Sequence, residues 1–319
     1  MNLRFLDEAE LRRRVDMPSA IRAVADAFAL LWRGDADAPV RTPLVDGHGV
    51  TLFMPGRLGA RTTGLKVVSV RSGNHARGLP AIHAVVLTVD PVTGIPEAAL
   101  DARWLTALRT GAATGVATER LARSDAATLT VFGAGAQAEA QVEAVAAVRD
   151  LTEVRIVSSS GTSARRLADR LVERGVVPRA VGGSDGGAAL RGADIVVTVT
   201  DSPTPVLNDA DIEPGTHVNA VGGYTLAMQE LPTTLVARSR VFVDERAAVL
   251  DEAGDIVTPI EAGVLTVDAL VELGAVVAGD RPGRQSPDQV TVFKSVGNIV
   301  QDLAVARLAL DRGDRGRAD

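Results

Sequence analysis

The stretch Thr128-Leu-Thr-Val-Phe-Gly-Ala-Gly-Ala-Gln137 decides the reading of this chain. Leu129 to Phe132 is a short apolar run of β-formers that stops at Gly133. Ala134-Gly135-Ala136-Gln137 then leads into Ala138–Ala147, a run of strong helix formers. Strand, tight glycine turn and helix is the setting a dinucleotide-binding motif needs. Gly133 permits the turn, Gly135 lets the backbone approach a pyrophosphate, and the helix N-terminus offers unpaired N–H groups and a positive dipole end to phosphates. Ala138 occupies the third small position of that pattern.

A glycine turn alone would suit any parallel α/β sheet. Here the pattern continues outward. Strand-like segments recur at 128–132, 154–158, 177–181, 194–200, 217–222 and 240–244, with helix-forming stretches such as Ser163–Arg174 between them. This alternation predicts a Rossmann-type, doubly wound parallel sheet. Short helices are expected at Ala247–Leu250 and Val267–Leu273, a polar loop at 280–288, a strand-like piece at Val290–Lys294 and a final helix at Asn298–Leu310, followed by a polar, frayed tail over 311–319.

Before the glycine turn the character differs. A strand and then a helix occupy 3–34, the helix starting at Asp16-Met-Pro-Ser and burying Ile21, Val24, Ala25, Phe28 and Leu31 on one face. Val40–Val45, Val50–Met54, Gly64–Val70, Ala84–Val89 and Glu97–Leu100 read as consecutive strands without intervening helices, hence an antiparallel or mixed sheet in a smaller α+β domain. A helix over 104–123 bridges to the next domain. The division is therefore 1–112 with the C-terminal helix 298–319 as one domain and 113–297 as the other.

Composition removes several function classes. The 319 residues carry a net charge of −6 with no basic cluster, and aromatics make up only 3%, so no nucleic-acid partner is expected. There is no cysteine, which excludes disulfides, thiolate metal sites and cysteine nucleophiles, and His48, His75, His83 and His217 lack metal-ligand spacing. No apolar run approaches the ~20 residues of a membrane span, and the charged start of the chain lacks a signal-peptide apolar region. A cytoplasmic protein is expected.

Three cations carry the candidate chemistry. Arg41 follows Pro39-Val40, Lys66 interrupts the apolar run Gly64–Val70, and Arg109 lies among small residues in Thr106–Thr114. Lys66 faces either solvent or a cleft. Together the three suggest a carboxylate site, because charge-assisted bonds to guanidinium and ammonium groups hold such an anion strongly. Cationic neighbours would also depress the Lys66 pKa and suit it to proton donation near neutrality. On the cofactor side, the second strand ends in Ser158-Ser159-Ser160 with Arg165 and Arg166 nearby and no acid, which favours NADP(H) over NAD(H). Thr198-Val199-Thr200 and the segment Val218–Thr225 leave parallel strands at their C-terminal ends, where ligands bind, making Asn219, Gly222 and Tyr224 candidates for a nicotinamide wall.

These residues, assembled, resemble the ornithine cyclodeaminase/mu-crystallin family. The matching pieces are Met54-Pro55, Gly64-Leu-Lys66, Leu105–Thr110, Phe132–Gln137, Asp194–Thr200, Glu213–Gly222, Gln229-Glu-Leu231 and Thr291–Gly297, in family order over nearly the whole chain. The resemblance implies a homodimer whose N-terminal sheets associate, a C-terminal helix returning to that domain, a nicotinamide cofactor and an amino or imino acid substrate. It assigns Arg41, Lys66 and Arg109 to the substrate carboxylate, and Gly133, Ala134, Gly135, Ala136, Gln137, Thr198, Val199, Thr200, Ser295 and Gly297 to the cofactor site. Thr110, Val221 and Gly222 join the cofactor set, and Tyr224 the substrate set. Two departures bear on substrate. Cyclodeaminases of the family carry a Glu where this chain has Leu52 and an Asp where it has Tyr224. Loss of both acids argues against ammonia elimination from ornithine and points to reduction of a cyclic ketimine. An ornithine cyclodeaminase or an alanine-type amino acid dehydrogenase, and from another class a non-catalytic protein that binds NADP(H) and a small ligand, are the alternatives.

Overall fold

The computed structural model describes residues 3–315. The chain divides into two compact units: one runs to Arg109 and resumes at Asn298, and the other spans Thr110–Gly297.

The first unit opens with strand β1 (Arg4–Leu6), then helices α1 (Glu8–Arg14) and α2 (Met17–Trp32). α1 escapes a hydrophobic-periodicity reading because it buries only Leu11. It is specified instead by its ends: Asp7 caps it by accepting from Glu10 N, acids fill the first turn and arginines the last. α2 begins as expected, with Asp16 accepting from Ser19 N at 2.8 Å and Pro18 in the first turn. The strands β2 (Ala36–Asp37), β3 (Thr42–Asp46), β4 (Gly49–Leu58), β5 (Thr62–Val70), β6 (Ile82–Val89) and β7 (Pro96–Asp101) follow. They form a seven-stranded mixed sheet in the order β1-β7-β6-β5-β4-β2, with β3 sharing the β4 edge; β1 pairs parallel to β7 and the other ladders are antiparallel. Helix α3 (Ala102–Leu121) leads from this unit into the next.

The second unit alternates as expected: β8 (Thr128–Phe132), α4 (Ala138–Ala146), β9 (Glu153–Val157), α5 (Thr162–Glu173), β10 (Ala180–Gly183), α6 (Gly186–Leu190), β11 (Ile195–Thr198), β12 (His217–Ala220), α7 (Thr233–Arg238), β13 (Arg240–Val243), α8 (Arg246–Glu252), α9 (Gly254–Glu261), β14 (Val271–Glu272), α10 (Leu273–Val277) and β15 (Thr291–Lys294). All eight strands are parallel, in the order β10-β9-β8-β11-β12-β15-β13-β14. The connection reverses direction between β8 and β11, which makes their C-terminal ends the topological switch point where such sheets bind ligands. Apolar clusters cover the sheet, one including Leu129, Val131, Val142 and Leu167, another Phe132, Val196, Leu235 and Val292.

The expected helix over 267–273 is replaced by a single 3₁₀ turn, Val267–Ala269, and β14, with α10 starting only at Leu273. Two-residue β14 is too short to show alternation. α7 and α9 were missed, α7 for its six residues and α9 because Pro259 inside it reads as a breaker. The last helix, α11 (Ile299–Arg315), continues past Leu310, so the frayed tail is not seen over 311–315; residues 316–319 lie outside the described part. No described helix is long and apolar enough to cross a membrane, and no group of three or more described His, Asp or Glu side chains could hold a metal.

Candidate active site

In the first unit, β5 alternates buried and half-buried positions, so Thr62, Gly64, Lys66 and Val68 share one face. α11 lies on that face. A Cβ on Gly64 would sit 2.5 Å from the Leu303 side chain, so glycine is needed for α11 to approach this closely. Two residues along, Lys66 meets the neighbour of Leu303: its Nζ donates to Asp302 Oδ1 at 2.8 Å, with Lys66 1% and Asp302 0% exposed. Arg109, from α3, puts Nε 3.3 Å from the same oxygen and donates from Nη1 to Gln301 Oε1 at 2.9 Å. Arg41, half-buried just before β3, acts on Lys66 electrostatically. Lys66 is therefore buried beneath α11 and not at a solvated strand edge.

Burial lowers the Lys66 pKa most, Asp302 pulls it back up, and the charges of Arg109 and Arg41 lower it again; the balance is about 8, down from 10.5. Two cations, Lys66 and Arg109, lie against one carboxylate, and the charge of Arg41 also acts on Lys66, an excess of positive charge suited to a small anion. Asp302 Oδ2, Gln301 Nε2 and Arg109 Nε are buried without hydrogen-bond partners among the described residues.

In the second unit, Gly133 has φ 109°, and a Cβ there would lie 2.6 Å from Val199 O, so the turn after β8 requires glycine and abuts the end of β11. Gly135 is different. A Cβ there would meet nothing within 4 Å, and both Gly135 and Ala136 are exposed. The backbone N–H groups of Ala134 to Gln137 donate to no described carbonyl, and α4 starts at Ala138 without a side-chain cap. An open glycine turn with unspent donors at the head of a helix fits a dinucleotide pyrophosphate. Thr198 Oγ1 and Gln137 Oε1 are buried without hydrogen-bond partners among the described residues.

Glu230 shapes the loops beyond β11 and β12. Its carboxylate accepts from Thr200 N and Oγ1 at 2.7 and 2.8 Å, and from Gly222 N and Gly223 N at 2.8 and 3.0 Å. Asp255 accepts in turn from Glu230 N, Leu231 N and Lys294 Nζ, and Lys294 also donates to Gly223 O. Val221 is buried in the same loop, its N–H donating to Thr198 O; Tyr224 is half-buried just beyond, and Thr110 is buried on α3. Asp244 accepts from Ser295 Oγ, Val296 N and Gly297 N, fixing the turn after β15. At the end of β9, Ser158 Oγ accepts from Ala164 N at 3.3 Å and pairs with Ser163 Oγ, whereas Ser159 and Ser160 are exposed. Arg165 reaches back over Gly161, where its Nη1 would be 3.0 Å from an added Cβ; Arg166 is exposed.

Asn219 requires correction. It lies inside β12, fully buried, its amide donating to Thr118 Oγ1 and its oxygen against His217 Nε2, so its side chain is not available to wall a ligand pocket. The sequence reading missed Asp302, Gln301, Glu230, Asp255, Lys294 and Asp244. A charged residue inside an apolar run, as in Thr291-Val-Phe-Lys294 or Ile299-Val-Gln-Asp302-Leu, was the available signal.

Comparison with known proteins finds relatives over nearly the whole chain. A Delta(1)-pyrroline-2-carboxylate reductase of Bacillus cereus is 37% identical over 308 residues, covering 95% of this chain and 94% of that protein. The structure of the Thermococcus litoralis Delta(1)-pyrroline-2-carboxylate reductase in complex with NADH and L-proline matches with a TM-score of 0.94 at 34% identity, covering 98% of each chain. An archaeal alanine dehydrogenase, a dimer with bound NAD, matches with a TM-score of 0.93 at 32% identity over 99% of this chain and 98% of that one. The model of the ornithine cyclodeaminase/mu-crystallin family matches residues 2–316, and with the glycine turn and the Lys66 cluster in place the chain belongs to that family.

Proposed function

We propose that the protein is an NAD(P)-dependent oxidoreductase that reduces a cyclic α-imino acid, such as 1-pyrroline-2-carboxylate or 1-piperideine-2-carboxylate, to the L-amino acid. The observation that carries this reading is the buried cluster of Lys66 and Arg109 around Asp302, with Arg41 acting on it. Arg41 and Arg109 orient the substrate carboxylate, and the residual positive charge holds it. A bound nicotinamide supplies the hydride to the C=N carbon. The π pair moves to nitrogen, so one proton is consumed for each hydride. Lys66, with a pKa of about 8, is mostly protonated at neutral pH and is placed to give that proton or to keep the ring nitrogen protonated. Positioning and electrostatics do the rest, since the cofactor carries the reactive bond.

Leu52, half-buried in β4, and Tyr224 stand where cyclodeaminases of the family carry acids, so no carboxylate at either place manages water for ammonia loss. The second unit binds the cofactor through Gly133–Gln137 and the loops tied by Glu230. NADP(H) is favoured over NAD(H) because no acid follows β9, Ser159 and Ser160 are exposed, and Arg165 reaches back over Gly161, the next residue in the chain; a 2′-phosphate finds donors there. Leu44 and Val45 of edge strand β3 are 59% and 74% exposed, which supports a homodimer through this sheet. A cytoplasmic location follows from the need for a reduced nicotinamide pool. The archaeal neighbour supports a second reading, an alanine-type dehydrogenase, against which Leu52 and Tyr224 weigh less than against a cyclodeaminase.

The test is oxidation of NADPH and NADH with fresh 1-pyrroline-2-carboxylate, with parallel reactions of L-ornithine and NAD⁺ assayed for proline and ammonia, and of pyruvate with ammonia. Fast imine-dependent oxidation alone establishes the reductase and its cofactor. Proline from ornithine overturns the weight given to Leu52 and Tyr224; pyruvate turnover selects the second reading; bound cofactor without any turnover selects a binding protein. Lys66→Ala should leave cofactor affinity intact and abolish turnover.

A further inference from the structure

We propose that Asp302 is the residue that recognises the substrate's ring nitrogen: Oδ1 anchors Lys66 and Arg109, and Oδ2 accepts the N–H of the protonated imine. This rests on the imino acid reading above and specifies its selectivity. The support is a pattern of unspent bonds. Asp302 is fully buried, yet only Oδ1 is engaged, by Lys66 Nζ at 2.8 Å and by Arg109 Nε within ion-pair distance at 3.3 Å. Oδ2 has no partner among the described residues. In the same cluster two donors make no hydrogen bond among the described residues: Gln301 Nε2, and Arg109 Nε, which has only its ion-pair approach to Oδ1. A purely structural ion pair buried this completely satisfies both carboxylate oxygens, because an unpaired buried acceptor is costly. Two donors and one acceptor left open together are the complement of a ligand that presents a carboxylate next to an N–H. That is the hydrogen-bonding outline of an α-iminium carboxylate. Arg41, the half-buried cation, is the member of the cluster that solvent reaches.

The consequence is discrimination against 2-oxo acids. A carbonyl oxygen in place of N–H would set acceptor against acceptor at Oδ2. Lys66 then also keeps Asp302 ionised, besides its part in the proton balance, and Asp302 touches the reacting nitrogen.

The experiment uses two flat, near-isosteric carboxylates that differ only at the ring heteroatom. Pyrrole-2-carboxylate presents N–H; furan-2-carboxylate presents an acceptor oxygen. Both are titrated by calorimetry into the full-length protein saturated with NADP⁺ and, in parallel, with NAD⁺. The wild type should bind the pyrrole at least about tenfold more tightly, and Asp302→Asn should erase or reverse that ratio, since its amide can offer N–H where Oδ2 was. The wild-type ratio needs no variant, so poor folding of Asp302→Asn does not remove the test. Equal affinities, a preference for the furan, binding of neither, or a pyrrole preference that survives in Asp302→Asn would each overturn the assignment. If the wild type reduces 1-pyrroline-2-carboxylate but shows no preference between the probes, Asp302 alone is misassigned. If it reduces no imine, the proposed reaction fails while a measured pyrrole preference still places Asp302 against an N–H of some other carboxylate ligand.

Discussion

Replacing Asp302 by Asn removes one charge from the centre of the Lys66 cluster while keeping the volume and an oxygen that can still accept from Lys66. The groups that face Lys66 are Asp302 from α11, Arg109 from α3 and Arg41 from the segment before β3, so the variant leaves Lys66 with cationic neighbours only. At the observed 2.8 Å, opposite unit charges attract by about 6 kcal/mol at an effective dielectric of 20. With about 1.4 kcal/mol per pKa unit, that is a ceiling of roughly four units on the fall of the Lys66 pKa. Relaxation and water entry reduce it, and a fall of at least about one unit is expected. If protonated Lys66 is needed for turnover, wild-type kcat/KM for the imine declines above a pKa of about 8. In Asp302→Asn the same limb should move to about pH 7 or below, so that neutral activity drops about twofold for a one-unit fall and about tenfold for a two-unit fall, and returns towards pH 6. The assay is the initial rate of cofactor oxidation against pH for both proteins. Ionisation of the substrate is common to both profiles, so the displacement between them reports the enzyme. A wild-type profile flat through pH 8, or a limb that does not move or moves upward in the variant, refutes the role given to this pair.

Lys66 has a folded pKa below its unfolded one, so between about 8 and 10.5 the unfolded chain holds a proton that the native one has lost, and stability rises with pH across that window. The urea-unfolding free energy of the wild type, less that of Lys66→Met, should therefore grow by about 2–3 kcal/mol from neutral pH to pH 10; a flat difference contradicts the buried charge. His217 is buried between Thr291 and Asn219, and burial first, then the charge of Arg284, lowers its pKa from 6.5 to about 3. It must stay neutral in the fold, so stability is lost as pH falls through that range, by about 1.4 kcal/mol per pH unit at its steepest. His217→Gln should show a lower plateau but lack this slope in denaturant melts. Ser158→Asp places a carboxylate where β9 ends and should weaken NADPH binding at least about tenfold while sparing NADH. Equal loss of both cofactors would mean that Ser158 matters only through its bond from Ala164 N.

The parallel sheet was legible because most of its strands are short apolar runs, the first of them alternating with helices long enough to show a period, and the switch point was marked by Gly133, whose turn admits no side chain. Lys66 and Arg109 were legible because cations stand out among apolar or small neighbours. Their partner was not. Asp302 lies 236 residues from Lys66 in the chain, and one acid on an amphipathic helix is ordinary until the fold shows that its face is buried. The same holds for Glu230, which reads as a turn residue yet fixes Thr200, Gly222 and Gly223 at once, and for Asp244, which fixes the turn carrying Ser295 and Gly297. A ligand-facing position constrains its immediate neighbours, which must be small or glycine, and so leaves a local trace. A buried carboxylate that organises a site is constrained by donors that the topology delivers from other segments. It leaves no local trace, and the only sequence mark it carries is a charge where an apolar residue would be expected, as at Asp302 between Ile299-Val-Gln and Leu303.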